Sequence, residues 1–121
     1  MINESKKNAF SLEKRKEMIL KSTQHIPNLK VDFFEGLLVA YAKKIKCDVI
    51  IRGLRALSDF ENELAMANMN NSLSEKIETV FFMTAPEYSF VSSSMIKEVA
   101  ALGGDVSKFI PKEILTDIQD I

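Results

Sequence analysis

Two short apolar runs constrain the fold of this chain more than any other feature: Val49-Ile50-Ile51 after Asp48, and Thr79-Val80-Phe81-Phe82-Met83. Both are too short for a helix and rich in β-branched or aromatic residues, which suit a pleated surface. The first has no polar alternation, the pattern of a strand buried on both faces of a parallel sheet. Between them lies a stretch of helical length. It begins near Ser58 with Asp59 and Glu61 in its first turn, and carries Phe60, Leu64, Met66 and Met69 to about Leu73. Strand, helix, strand is the unit from which parallel sheets with right-handed crossovers are built. Met66 and Met69, with Leu64, read as core or subunit contact.

The remaining elements extend this alternation. Residues 11–23 set Leu12, Met18, Ile19 and Leu20 among lysines and glutamates, with Ser11 placed to cap and Glu13 in the first turn, an amphipathic helix. After Pro27, residues 29–34 combine β-branched and aromatic side chains and close at Gly36, the signature of a further strand. Residues 37–45 form a short helix with Lys43 and Lys44 in its last turn. Residues 48–51 are read as a strand that stops at Arg52-Gly53. Beyond Pro86, a helix from about Ser93 to Leu102 is halted by Gly103-Gly104, and a turn at 106–109 and a terminal helix after Pro111 complete the chain. The expectation is an α/β fold in a single domain spanning residues 1–121, without repeats or linkers.

Composition narrows the partners. The formal net charge of −1 provides no broad field for nucleic acid or an anionic membrane, so a bound anion has to be held by a few placed cations. The lone Cys47 permits no intramolecular disulfide, suits a reducing compartment and reads as a small buried apolar residue. No segment approaches the ~20 apolar residues of a membrane span. The opening residues 1–7 contain no apolar run of the signal-peptide kind. A cytoplasmic protein is expected.

Ligands of such sheets bind beyond the carboxyl ends of the strands, and two polar clusters fall there. Arg52-Gly53-Leu54-Arg55 offers close backbone approach and two guanidinium forks suited to phosphate, although the same residues would also serve as a tight turn with solvated arginines. Ser92-Ser93-Ser94 opens a helix, where hydroxyls and unpaired N–H groups suit an anion; taken alone, the cluster is better explained by simple N-capping. Ser5-Lys6-Lys7 stands ahead of the first helix as a third cationic candidate or as solvated surface. Glu63 lies within reach of the strand ends, as a ligand contact or an ion-pair partner. His25, the only histidine, lacks the company of metal-ligating residues and reads as exposed loop.

Taken together, these residues resemble the phosphopantetheine adenylyltransferases of bacterial coenzyme A synthesis. The resemblance rests on Ile50-Ile51-Arg52-Gly53-Leu54-Arg55-Ala56, on Asp59-Phe60-Glu61-x-Glu63, and on Ser89-Phe90-Val91-Ser92-Ser93-Ser94-Met95-Ile96-Lys97-Glu98-Val99. It is extended by Ser5-Lys6-Lys7-x-x-Phe10-Ser11-Leu12-Glu13-x-Arg15 and Gly104-Asp105-Val106, and so runs from Asn3 to about Pro111. It implies a Rossmann-like nucleotidyltransferase fold and the Mg²⁺-dependent reaction of ATP with 4′-phosphopantetheine to give dephospho-coenzyme A and pyrophosphate. By the same resemblance, Lys6, Leu38 and Arg52 would contact phosphopantetheine. Gly53, Leu54, Arg55, Glu63, Tyr88, Ser89, Phe90, Val91, Ser92, Ser93 and Ser94 would contact ATP. A homohexamer is the family's usual assembly.

The family pattern also includes an upstream strand, a Thr/Ser-Phe-Asp-Pro turn, a His-x-Gly-His helix and a second strand, none of which occurs in these 121 residues. No residue present here is therefore assigned a catalytic role. The sheet order implied by the family is 3-2-1-4-5, with its first two strands missing from this chain. The expectation is that this stretch alone does not turn over. The alternative reading is a non-catalytic nucleotide- or coenzyme A-binding module or subunit derived from the family.

Overall fold

A computed structural model describes residues 9–120, which fall into two compact units: Phe34–Phe90, and residues 9–33 with 91–120. Ser5, Lys6 and Lys7 lie outside the described residues.

The first unit contains α2 (Leu38–Lys44), β1 (Val49–Leu54), α3 (Leu57–Leu73), β2 (Glu78–Met83) and a 3₁₀ turn at Pro86–Tyr88. β1 and β2 pair in parallel, from Val49 opposite Glu78 to Leu54 opposite Met83, with α3 as the crossover that packs on both. This is the α/β architecture read from the two apolar runs. Helix α3 starts without a side-chain cap at Ala56 but with Asp59 in its first turn, where a carboxylate favours the positive helix end. The core joins Val39, Ala42, Ile50 and Ile77, with Leu38 and Cys47 packed against it. Cys47 is half-buried and its thiol donates to the Val49 carbonyl at 3.1 Å.

Three expectations need correction here. β1 does not stop at Arg52-Gly53 but runs through Leu54, because the ladder to β2 continues to Met83 and holds both residues extended. Its two faces are also unequal: Ile50 and Leu54 are buried, whereas Ile51 is 66% exposed. Successive side chains of a strand point to opposite faces, and in this unit α3 covers one of them. Of the two readings of Met66 and Met69, core or subunit contact, their exposure leaves the second.

The third expectation to be corrected is a strand at 29–34, where none forms. Strand propensity becomes a strand only where a neighbour supplies the ladder, and among the described residues β1 and β2 pair only with each other. The aromatic side chains of this stretch find other partners. The Phe33 ring lies 5.6 Å from Lys16 Nζ, Phe33 N–H donates to Asp32 Oδ1, and Phe34 stacks on Tyr41 at 4.3 Å.

The second unit contains α1 (Leu12–Ser22), α4 (Ser93–Ala101), a 3₁₀ turn at Lys112–Ile114 and α5 (Leu115–Gln119). Ser11 caps α1 as the sequence suggests, its Oγ accepting the Lys14 N–H at 3.1 Å. Met18 of α1, Ile96 and Ala100 of α4, Val106 and Ile118 of α5 form the core, ringed by Phe10, Val91, Ile110, Ile114 and Leu115. Helix α4 ends in a Schellman motif: Gly104 N–H reaches Val99 O, Gly103 N–H reaches Ala100 O, and Gly103 takes the required positive φ of 78°. Charge then ties α1 to α5, with Lys14 Nζ 2.5 Å from Asp117 Oδ1. His25 is exposed in the turn after α1, as expected.

Candidate functional site

Alternation along β1 places Arg52 on the same face as Ile50 and Leu54, the face on which α3 packs. On α3, Glu63, Met66, Ala67, Asn70 and Leu73 follow the three- and four-residue spacing of one helical face. These two rows, together with Met69, Thr79 and the Gly36-Leu37-Leu38 entry to α2, enclose a pocket of about 290 Å³. Its wall is apolar apart from Asn70, Thr79, Arg52 and Glu63. Asn70 is only 7% exposed and contributes an amide to the lining.

Arg52 and Glu63 meet in a bidentate pair. Arg52 Nε donates to Glu63 Oε2 at 2.6 Å and Nη2 donates to Oε1 at 2.5 Å. This hydrogen bonding holds the Glu63 carboxyl below its usual range and raises Arg52, so both are charged at neutral pH. A second pair follows at the strand's end, where Arg55 Nε donates to Asp59 Oδ2 at 3.2 Å. The Arg55–Asp59 spacing of four residues is one that faces side chains together, so this partner was available to sequence reasoning. The pocket wall of Met66, Met69, Asn70 and Leu73 was not: the two methionines read as core or subunit contact, and Asn70 and Leu73 carry no site signal of their own.

The structure thus brings Leu38, Arg52 and Glu63 to one pocket, with Gly53, Leu54 and Arg55 continuing along and just beyond β1. Tyr88 belongs to the 3₁₀ turn that follows β2, with Ser89 and Phe90 after it, and Ser89 Oγ donates to Pro86 O at 2.8 Å. Val91, Ser92, Ser93 and Ser94 belong to the second unit. There Ser92 caps α4 by accepting the Met95 N–H at 3.2 Å, and its hydroxyl lies 3.0 Å from that of Ser94. Capping is therefore observed, and it leaves the remaining first-turn donors of α4 available to an anion. Lys6 lies outside the described residues.

Comparison with known proteins points in one direction. A family described as cytidylyltransferase-like matches residues 1–99. A phosphopantetheine adenylyltransferase from Crocosphaera subtropica is 50% identical over 99% of this chain and 76% of its own length. The protein of the same name from a Synechocystis species is 53% identical over 98% of this chain and 74% of its own, and that from Clostridium perfringens 47% over 99% and 73%.

Proposed function

The chain belongs to the phosphopantetheine adenylyltransferase family of nucleotidyltransferases, and on that premise we propose that it serves coenzyme A synthesis by moving an adenylyl group from ATP to 4′-phosphopantetheine. In the reaction, a phosphate oxygen of phosphopantetheine attacks the α-phosphorus of ATP. The bond from that phosphorus to the β-phosphate oxygen breaks, releasing pyrophosphate and leaving dephospho-coenzyme A. Such a transfer requires no protein nucleophile, only positioning and charge stabilisation.

The observation that carries this reading is the Arg52 guanidinium at an apolar pocket of about 290 Å³, in a chain half identical to adenylyltransferases. Phosphopantetheine joins a phosphate to a flexible arm of mixed amide and aliphatic character. Arg52 suits the phosphate, Leu38, Met66 and Met69 suit the aliphatic portions, and the Asn70 amide suits an amide of the arm. Lys6 is assigned to the same phosphate. Gly53, Leu54, Arg55 and Glu63, with Tyr88, Ser89, Phe90, Val91, Ser92, Ser93 and Ser94, are assigned to ATP. Mg²⁺ would arrive with the nucleotide and would supply neutralisation of its phosphate charge. Among the described residues no cluster of three or more His, Cys, Asp or Glu is placed to hold a metal.

We assign the protein to the cytoplasm, where its lone cysteine would remain reduced; among the described residues no helix is long and apolar enough to cross a membrane. A homohexamer is proposed as its assembly. Calorimetric titration with 4′-phosphopantetheine tests the function. The wild-type chain should bind it, Arg52→Ala should abolish detectable binding, and Arg52→Lys should bind poorly because a point charge does not reproduce a planar fork. A folded wild-type protein that binds no 4′-phosphopantetheine overturns the proposal.

A further inference from the structure

A guanidinium can meet an oxyanion through two parallel N–H bonds on its Nε/Nη2 edge or on its Nη1/Nη2 edge. In this protein Glu63 occupies the first edge with both of its oxygens, at 2.6 and 2.5 Å. A planar group gripped along one edge has its plane fixed, so the direction of the other edge is fixed as well. Arg52 and Glu63 are the only charged residues among those described as lining the pocket, so no second carboxylate in that lining competes for the remaining edge.

We propose that Glu63 is a positioning residue for the anion subsite, holding Arg52 by one edge so that the Nη1/Nη2 edge receives the phosphate of 4′-phosphopantetheine. The identity of that anion rests on the adenylyltransferase reading; the arrangement of the two side chains does not. Glu63 thereby acts on the acceptor substrate as well as on the nucleotide to which the family resemblance assigns it. The opposite arrangement, in which phosphate displaces Glu63, is disfavoured on physical grounds. It would break two charge-assisted bonds and leave a carboxylate beside a phosphate, whereas binding at the other edge breaks neither bond. The charge states agree, since Arg52 holds the Glu63 carboxyl below its usual range and ionised at neutral pH.

The test combines a spectroscopic and a binding measurement on the full chain. The ¹⁵N-resolved Nε–H signal of Arg52, identified by its loss in Arg52→Lys, should exchange slowly with water in the ligand-free protein and quickly in Glu63→Ala. It should stay protected through a titration with 4′-phosphopantetheine. In calorimetry, Glu63→Gln and Glu63→Ala should each weaken 4′-phosphopantetheine by about tenfold or more, the scale of a lost charge-assisted bond. That loss should vanish when Arg52 is already lysine, the non-additivity of two residues acting as a unit. Loss of Nε–H protection on ligand binding, or unchanged 4′-phosphopantetheine affinity in the folded Glu63 variants, overturns the inference. A wild-type chain that binds no 4′-phosphopantetheine refutes the functional reading instead. Inorganic phosphate then becomes the probe: a shift of the Arg52 side-chain signals that weakens in Glu63→Gln supports the positioning role, and an equal shift in both proteins overturns it.

Discussion

At the scale of single residues, Gly104 shows how a small side chain can be structurally required without touching a ligand. A Cβ built there would lie 2.5 Å from Val99 Cγ1 and 3.1 Å from the Val99 carbonyl oxygen. Valine in a helix is held to essentially one rotamer, and the carbonyl accepts the Gly104 N–H at 2.8 Å, so neither neighbour yields easily. Gly104→Ala should therefore destabilise the protein by about 1–3 kcal/mol, as overpacking does, measurable by denaturant unfolding. Arg55 is the contrasting case. Its side chain is well exposed and pairs with the partly exposed Asp59 four residues on, a kind of pair that contributes little to stability. Arg55→Ala should leave the melting temperature nearly unchanged while lowering affinity for a non-hydrolysable ATP analogue about tenfold, the scale of one charge-assisted hydrogen bond. Unchanged nucleotide affinity in the folded variant would remove Arg55 from the nucleotide site.

At the scale of elements, the second unit depends on charges that join helices distant in sequence. Lys14 and Lys21 of α1 lie 2.5 and 3.7 Å from the two oxygens of Asp117 on α5, and Glu17 pairs with Lys21 at 2.6 Å. The hydrogen bond from Lys14 holds Asp117 below its ordinary pKa, and that from Lys21 does the same for Glu17. A carboxylate depressed in the folded state contributes stability that is present above its unfolded pKa and lost as pH falls through the folded one. The docking of α5 on α1 should accordingly weaken on acidification below the ordinary carboxylate range. Asp117→Asn should unfold at lower temperature at neutral pH and show a shallower acid limb when melting temperature is followed against pH. Parallel acid limbs in the two proteins would show that Asp117 carries none of this dependence.

At the scale of the whole molecule, the exposed apolar side chains stand out. Ile51, Phe82 and Met83 on the strands and Met66 and Met69 on α3 are all well exposed, with Met83 reaching 74%. Large apolar side chains gathered on exposed surfaces mark sites of association, which supports the proposed homo-oligomer. Sedimentation of the purified chain should show species heavier than the 13.7 kDa protomer, shifting with concentration. Replacing Ile51 and Phe82, which are exposed and outside the pocket lining, together by lysine should move that distribution toward the monomer without changing the helical signal. A concentration-independent 13.7 kDa species would count against the assembly.

What the sequence determined by itself is what local chemistry can decide. The runs at Val49 and Thr79 became the parallel strands, Ser11 and Ser92 became caps, Gly103-Gly104 became the end of α4, and the arginine, glutamate and serine motifs identified the family. Each depends on residues a few positions apart, where propensity and capping act directly. Tertiary structure decided what those signals leave open. Residues 29–34 carry strand propensity, yet a strand exists only with a partner, and the aromatic contacts made by Phe33 and Phe34 lie outside any ladder. β1 extended through Arg52 and Gly53 because the ladder to β2 continued past the point where the apolar run ends. The pairing of Arg52 with Glu63, eleven residues away, depended on the α3 crossover returning over β1, and side-chain geometry of that kind is set by packing between elements, not by spacing along the chain.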